Sequence, residues 1–224
     1  MEYFVTGIGT DVGKTVASAI LCNALEADYW KPVQAGALDN SDSHFVRSML
    51  PSHLTVHPEA YRLTEPMSPH AAARIDGIEI ETGSLKFPSH ERTLIIEGAG
   101  GLHVPLNDRQ TYIDLLPVWN VPTILVSRNY LGSINHTLMS YELLSQRGIP
   151  IAGIVLNGPE NDETERIIER YTGATILGRI PEVEHVNEAF IRNLASVWKL
   201  DLAKKLAKTF PVNEAIERKV RLMV

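Results

Sequence analysis

Cysteine occurs once in these 224 residues, at Cys22, so no disulfide can close within the chain. A reducing compartment, the cytoplasm, is the expectation. Cations are not in excess. Lys and Arg number 21 against 27 Asp and Glu, giving a formal charge of −6, and a surface built to hold nucleic acid or an anionic membrane needs the opposite balance. No apolar run approaches the roughly 18 residues of a bilayer span. No charged-then-apolar leader precedes the first apolar run, so a soluble, unprocessed protein is expected. Internal repeats, low-complexity tracts and dividing linkers are missing too, and residues 1–224 read as one domain.

What is there is 44% hydrophobic and 21% charged, in alternating apolar and helical stretches. Tyr3 to Thr6, Thr93 to Glu97, Thr123 to Ser127 and Ile151 to Asn157 are short and rich in β-branched residues, as strands buried on both faces should be. "DYWKPV" and "ATILGRIP" add two more strands. Helices are predicted over Lys14 to Ala27, Asp42 to Leu50, Ile134 to Arg147 and Glu160 to Tyr171. This order predicts an α/β fold, a doubly wound, mostly parallel sheet with helices on both faces, and ligands beyond the carboxyl ends of its strands.

Three motifs fall at those ends. "VTGIGTDVGKT", residues 5 to 15, joins a strand to a helix and nearly spells the phosphate-binding loop G-x-x-x-x-G-K-[ST], with one residue more between Gly7 and Gly13. Glycines at 7, 9 and 13 let successive N–H groups and a helix start face one concavity, where phosphate fits. Lys14 would reach the β- and γ-phosphates and Thr15 would offer its hydroxyl to Mg²⁺. The bland alternative is a glycine-rich turn. "TLIIEGAGG" delivers Glu97 at the end of a buried strand beside a Gly-Ala-Gly-Gly turn, as a metal-facing acid or as a carboxylate that meets water. Asp42 begins a helix, as a plain cap or as a second carboxylate for Mg²⁺. "YWKPVQAG" places Lys31 at the end of a short strand, with Pro32 forcing the chain out of the ladder; a snorkelling surface lysine is the alternative.

Taken in order, "FVTGIGTDVGKT", "KPVQAG", "NSD", "MSPH", "EGAGG", "LGSINH" and "VLNG" resemble the dethiobiotin synthetase family from residue 3 to about residue 181. The long loop is a trait of that family. The resemblance implies a phosphate-loop NTPase-like fold, ATP and Mg²⁺, and a homodimer that closes the ureido ring of dethiobiotin from 7,8-diaminononanoate and CO₂. In the family CO₂ adds to one amine, the carbamate attacks the γ-phosphate, and the second amine displaces phosphate from the mixed anhydride. It further implies that Gly9, Thr10, Asp11, Val12, Gly13, Lys14, Thr15 and Val16 wrap the phosphates, with Thr10 and Asp11 facing the reacting groups beside Lys14. Lys31 would lie beside the carbamate, Thr15, Asp42 and Glu97 around the metal, and Gly98, Ala99 and Gly100 along the nucleotide. Asn157 would read the adenine, with Pro181 closing over it. Gly132, Ser133 and Asn135 match the helix start at which the partner subunit holds the substrate's carboxylate.

Two positions depart from the family. Ala35 stands where many members carry Ser or Thr, and Asp11 replaces a longer Glu. Cys22 is expected to pack as a small hydrophobe. His53 and His57 have a helical ligand spacing but are bracketed by Pro51 and Pro58, and read as a surface loop rather than a metal pair; His70, at an expected helix start, either shapes a loop or lines the substrate tunnel. Leu202, Leu206 and Phe210 mark a terminal helix with lysines opposite, packed on the core or touching a membrane. That terminal helix keeps alive a rival, the nucleotide-gated dimeric switch ATPases of the septum-site and partition type. Their loop carries an extra lysine that Ile8 to Val12 lacks. Cobyrinic-acid amide synthases fit less well, because their glutaminase domain is missing.

Overall fold

Side-chain parity along the buried strands explains the architecture. In the computed structural model, which describes residues 1–209, Tyr3, Val5, Ile95, Ile124 and Val126 join one hydrophobic cluster. Their neighbours Phe4, Leu94 and Ile96 face a second, and Leu125, Ile154 and Leu156 face a third. Strands with a period of two and apolar residues at both parities must be covered on both faces.

The first half of the chain runs β1 (Glu2–Gly7), α1 (Lys14–Leu25), β2 (Asp28–Trp30), β3 (Val33–Ala35), α2 (Asp42–Met49), β4 (Val56–His57), β5 (Tyr61–Leu63) and α3 (Pro69–Ile75). The second runs β6 (Leu94–Gly101), α4 (Tyr112–Trp119), β7 (Thr123–Arg128), α5 (Ser133–Gln146), β8 (Ile151–Asn157), α6 (Asp162–Thr172), β9 (Ile176–Ile180) and α7 (Glu188–Thr209). Seven strands form one sheet in the order β4-β2-β6-β1-β7-β8-β9, and β3 pairs with β5 apart from it. Every ladder is parallel. Residues of α1, α2 and α7 pack on one face, while α3, α4, α5 and α6 supply the clusters of the other. The doubly wound α/β fold read from the sequence is what the chain adopts. Each fully buried Ile or Leu of this sandwich contributes on the order of 1.5–3 kcal/mol.

Several local expectations are corrected. "DYWKPV" is two strands in two sheets, because Pro32 cannot donate to the ladder and re-aims the chain. The helix after the phosphate loop stops at Leu25, where Glu26 turns left-handed at φ 52°. Helix α6 starts at Asp162, since the Asn161 side chain accepts from the Thr164 amide and caps it. The Gly-Ala-Gly-Gly segment is no turn. It continues β6 to Gly101, which pairs with Gly7, and Phe4 fills the place of a Gly98 side chain. His57 belongs to the edge strand β4 and His53 pairs with Glu26 at 2.8 Å, so the expected loop is partly sheet. Cys22 is buried and free. Leu202 and Leu206 are buried in the terminal helix, and Phe210 lies outside the described residues. No helix among the described residues is long and apolar enough to cross a membrane.

Candidate active site

At the carboxyl end of β1 the chain turns through Ile8 to Val12 into α1. Gly13 caps that helix at φ 91°, and a side chain there would collide with Asn157 Nδ2 at 2.3 Å. Only glycine accepts both the left-handed angle and the contact. Asp11 adopts φ 57° without being glycine, a local strain of the kind that collects at working loops. Lys14 curls over the loop and donates to the Gly9 carbonyl at 3.2 Å. Asn157, at the end of β8, donates to the Val12 carbonyl at 2.8 Å.

Parity carries Glu97 to the same place. It sits two residues after Ile95, so it faces α1, and it is wholly buried. Its Oε1 accepts from Thr15 Oγ1 at 2.9 Å and its Oε2 from the Tyr29 hydroxyl at 2.9 Å. Thr15 Oγ1 also lies 2.9 Å from Asp42 Oδ1. Asp42 is the first residue of α2, and Ser41, not Asp42, caps that helix. Lys31 follows β2 directly, is 5% exposed, bonds Asp42 Oδ2 and lies 3.6 Å from Glu97 Oε1.

The electrostatics follow from this packing. Burial opposes the charge of Lys31, but Glu97 and Asp42 outweigh it and hold the pKa above the ordinary lysine value. Burial likewise opposes the Asp42 carboxylate, and Lys31, Thr15 and Lys14 outweigh it and hold that pKa low. Lys14 is the opposite case. Burial, helped by Lys31, lowers its pKa against the pull of Glu97 and Asp42. Burial and the adjacent Glu97 push the Tyr29 hydroxyl well up, so it stays a donor.

A cavity of about 620 Å³ opens over these groups, lined by Thr10, Asp11, Gly13, Lys14, Thr15 and Val16 from the loop side, and by Lys31, Asp42, Glu97, Ala99 and Gly100 opposite. Ala35, Val104 and residues 66–69 wall its far part. The sequence-predicted residues therefore converge in three groups. Most line this cavity; Asn157 and Pro181 line a second, of about 300 Å³, at the ends of β8 and β9. Gly132, Ser133 and Asn135 stand at the start of α5 and line neither. Gly9 and Val12 contribute backbone to the loop, and Gly98 faces away toward Phe4. His70 lies at the start of α3, beside a smaller cavity with Arg74.

Sequence reasoning missed Tyr29 and Arg128. Arg128 donates to the Asp11 carbonyl at 3.3 Å and approaches Glu182 at 3.7 Å, tying the loop to the segment after β9. Tyr29 had a signal, since it lies two residues before Lys31 in an apolar strand of the same parity as the core face. No group of three or more His, Cys, Asp or Glu positioned for a metal occurs among the described residues. Thr15 Oγ1 lies 2.9 Å from both Asp42 Oδ1 and Glu97 Oε1, and the Lys31 ammonium meets the same two carboxylates. An oxygen-only set completed by phosphate and water is the type that suits Mg²⁺.

A family model described as an AAA domain matches residues 1–189. The ATP-dependent dethiobiotin synthetase of Christiangramia forsetii is 49% identical over 91% of this chain and 98% of its own length. The one from Cytophaga hutchinsonii is 50% identical over 85% and 93%. The chain belongs to the ATP-dependent dethiobiotin synthetase family. Membership makes it an ATP-dependent ligase. Among solved structures it is similar in fold to a putative plasmid partition protein of Borrelia burgdorferi, with a TM-score of 0.56 at 10% identity over 91% of this chain and 98% of the other. The septum-site protein MinD of Pyrococcus horikoshii gives 0.51 at 16% identity over 93% and 94%. At such identities the likeness is one of fold alone, so the family's sequence relatives decide between the synthetase and the switch.

Proposed function

We propose that this chain, as one domain, converts 7,8-diaminononanoate, CO₂ and ATP to dethiobiotin, ADP and phosphate in the cytoplasm. The observation that carries the reading is the second lysine. Lys31 is buried beyond the phosphate loop, across the same cavity as Lys14, and a nucleotide switch needs cations only around the phosphates.

The first amine attacks CO₂, forming an N–C bond and losing a proton to give the carbamate. A carbamate oxygen then attacks the γ-phosphorus while the bond to the β-bridging oxygen breaks and ADP leaves. The second amine attacks the carbamate carbon, and the C–O bond to phosphate breaks. Lys31 faces the carbamate and the charge that builds on phosphorus, where a fixed cation in a dry cleft acts strongly. Lys14 and the amides of Gly9 to Gly13 hold the phosphates, with Thr10 and Asp11 facing the reacting groups. Thr15, Asp42 and Glu97 would hold Mg²⁺, which would supply positive charge at the phosphate oxygens. Asn157 and Pro181 receive the adenine. A second copy of the chain brings Gly132, Ser133 and Asn135 to the substrate's carboxylate, so that each site is composite.

Phosphate release tests the reading. It should require ATP, diaminononanoate and bicarbonate together; release with ATP alone at the same rate would return the chain to the switch class.

A further inference from the structure

Glu97 has two oxygens and two different neighbourhoods. Its Oε1 faces Thr15 and Lys31, on the wall of the cavity. Its Oε2 points into the protein and meets the hydroxyl of Tyr29, a side chain with no solvent exposure. The reach is set by the sheet. Tyr29 on β2 is in register with Ile95 on β6, so Glu97 is its diagonal neighbour on the same face, within range of an aromatic side chain but not of a short one. The last torsion of a glutamate is broad and roughly two-fold, so a buried carboxylate does not choose its plane by itself. A donor fixed on one oxygen does.

We propose that Tyr29 is a positioning residue for the metal-facing carboxylate: its hydroxyl holds Glu97 Oε2 and thereby aims Oε1 at Thr15 and at the cation site. This rests on the reading that Thr15, Asp42 and Glu97 hold Mg²⁺ with the nucleotide. Tyr29 itself does not line the cavity. Its effect passes through Glu97, as outer partners orient the groups that face a metal. The phenol suits the task, because it donates without adding a charge to a cluster already balanced by two lysines and two carboxylates.

The test is ADP binding followed by calorimetry across a Mg²⁺ titration, with no turnover involved. Tyr29→Phe keeps the ring and removes the donor. The Mg²⁺ concentration at half effect should rise about tenfold, the scale expected for loss of an outer partner, while ADP affinity without Mg²⁺ stays within about twofold of wild type, since the phosphate contacts are untouched. Val56→Ala serves as the structural control. Val56 is buried and pairs with Tyr29 across β2 and β4, so it should lower the melting temperature and leave the Mg²⁺ midpoint alone. A Tyr29→Phe protein that is merely less stable, with the wild-type Mg²⁺ midpoint, overturns the positioning role while the synthetase reading stands. A wild-type protein whose ADP affinity ignores Mg²⁺ overturns both.

Discussion

Lys14, Lys31 and Glu97 are 7%, 5% and 0% exposed, and each is tied to groups of the same chain. At the start of α5, Gly132 and Asn135 are exposed and the side chain of Leu131 projects wholly into solvent. The first region is finished. Its cations are desolvated and held in place by groups of the same chain, Lys31 by Asp42 and Glu97 and Lys14 by the Gly9 carbonyl, and fixed charges of this kind act strongly in a dry cleft. The second is a helix start whose far end is held and whose near end is open at Gly132 and Asn135, with Ser133 buried between them. Arg147, which caps α5 at its other end, reaches Asp114 of α4 at 3.2 Å. On the proposed reading, phosphate chemistry is built within one chain and recognition of the substrate's tail is completed by a second copy.

The sharpest way to break this contrast is Lys31→Gln. Losing a fixed cation in the cleft should lower dethiobiotin formation by at least about a hundredfold, or roughly 3 kcal/mol in the barrier. Nucleotide affinity should stay within about threefold, because Lys14 and the loop keep the phosphates. Product made near the wild-type rate would remove Lys31 from the mechanism. The same variant strands two carboxylates, so its metal-free form should melt on the order of 10 °C lower, with Mg²⁺ and ADP recovering most of that.

The open end is probed by Asn135→Ala. It should raise KM for diaminononanoate by about tenfold, the loss of roughly one good hydrogen bond, with ATP affinity unmoved. Mixed with Lys14→Ala chains, it should regain activity through the one intact composite site of each mixed dimer. Verified mixed dimers without any recovery would mean that each site is built within one subunit.

Asn157, at the end of β8, is tied to the phosphate loop. Its amide holds the Val12 carbonyl, so Asn157→Ala should weaken ATP binding by about fivefold, again on the scale of one hydrogen bond. An unchanged affinity, measured by calorimetry, would separate β8 from the nucleotide.

The smallest effect concerns the anchored end of α5. Asp114 accepts from the Thr111 amide and hydroxyl, each at 2.9 Å, and faces Arg147. The Thr111 amide leads in holding its carboxyl below the ordinary aspartate value, against a lesser opposing effect of burial; the Thr111 hydroxyl and Arg147 add to it. A depressed folded value means that the stabilisation is complete above the unfolded value near ~4 and is lost as pH falls from there. Melting curves from pH 5 to 2 should show Asp114→Asn with a shallower acid slope than wild type, by no more than about 3 °C. Equal slopes would show that this contact does not anchor the helix.

How much of this could be read in advance depends on the kind of signal. Lys14, Thr15 and Lys31 were legible because glycine spacing and a proline stop are local signals. Helix α4 was not, and α3 showed only its start, around His70. Helix α3 is only Pro69–Ile75, and α4 contains Pro117, so neither offered a long uninterrupted pattern. The glycines after Glu97 read as a turn, yet they form strand, because Phe4 and Gly7 lie close enough that only bare backbone fits between them. Asp42 was undecided between cap and ligand, and only the placement of Ser41 as the cap freed it for Thr15 and Lys31.

The sequence by itself determined the alternation of buried strands and helices, the phosphate loop, and the membership that its motifs announce. These are properties of residues near one another along the chain, where period and spacing are the physics. Tertiary structure alone decided which oxygen of Glu97 meets Tyr29, that Asn157 braces Val12, and that the start of α5 stands apart from the cavity. Those facts depend on the register of parallel strands, which brings α1, β2, β6 and α2 together from 11 to 82 residues apart, and register is set by the fit of both faces of the sheet at once.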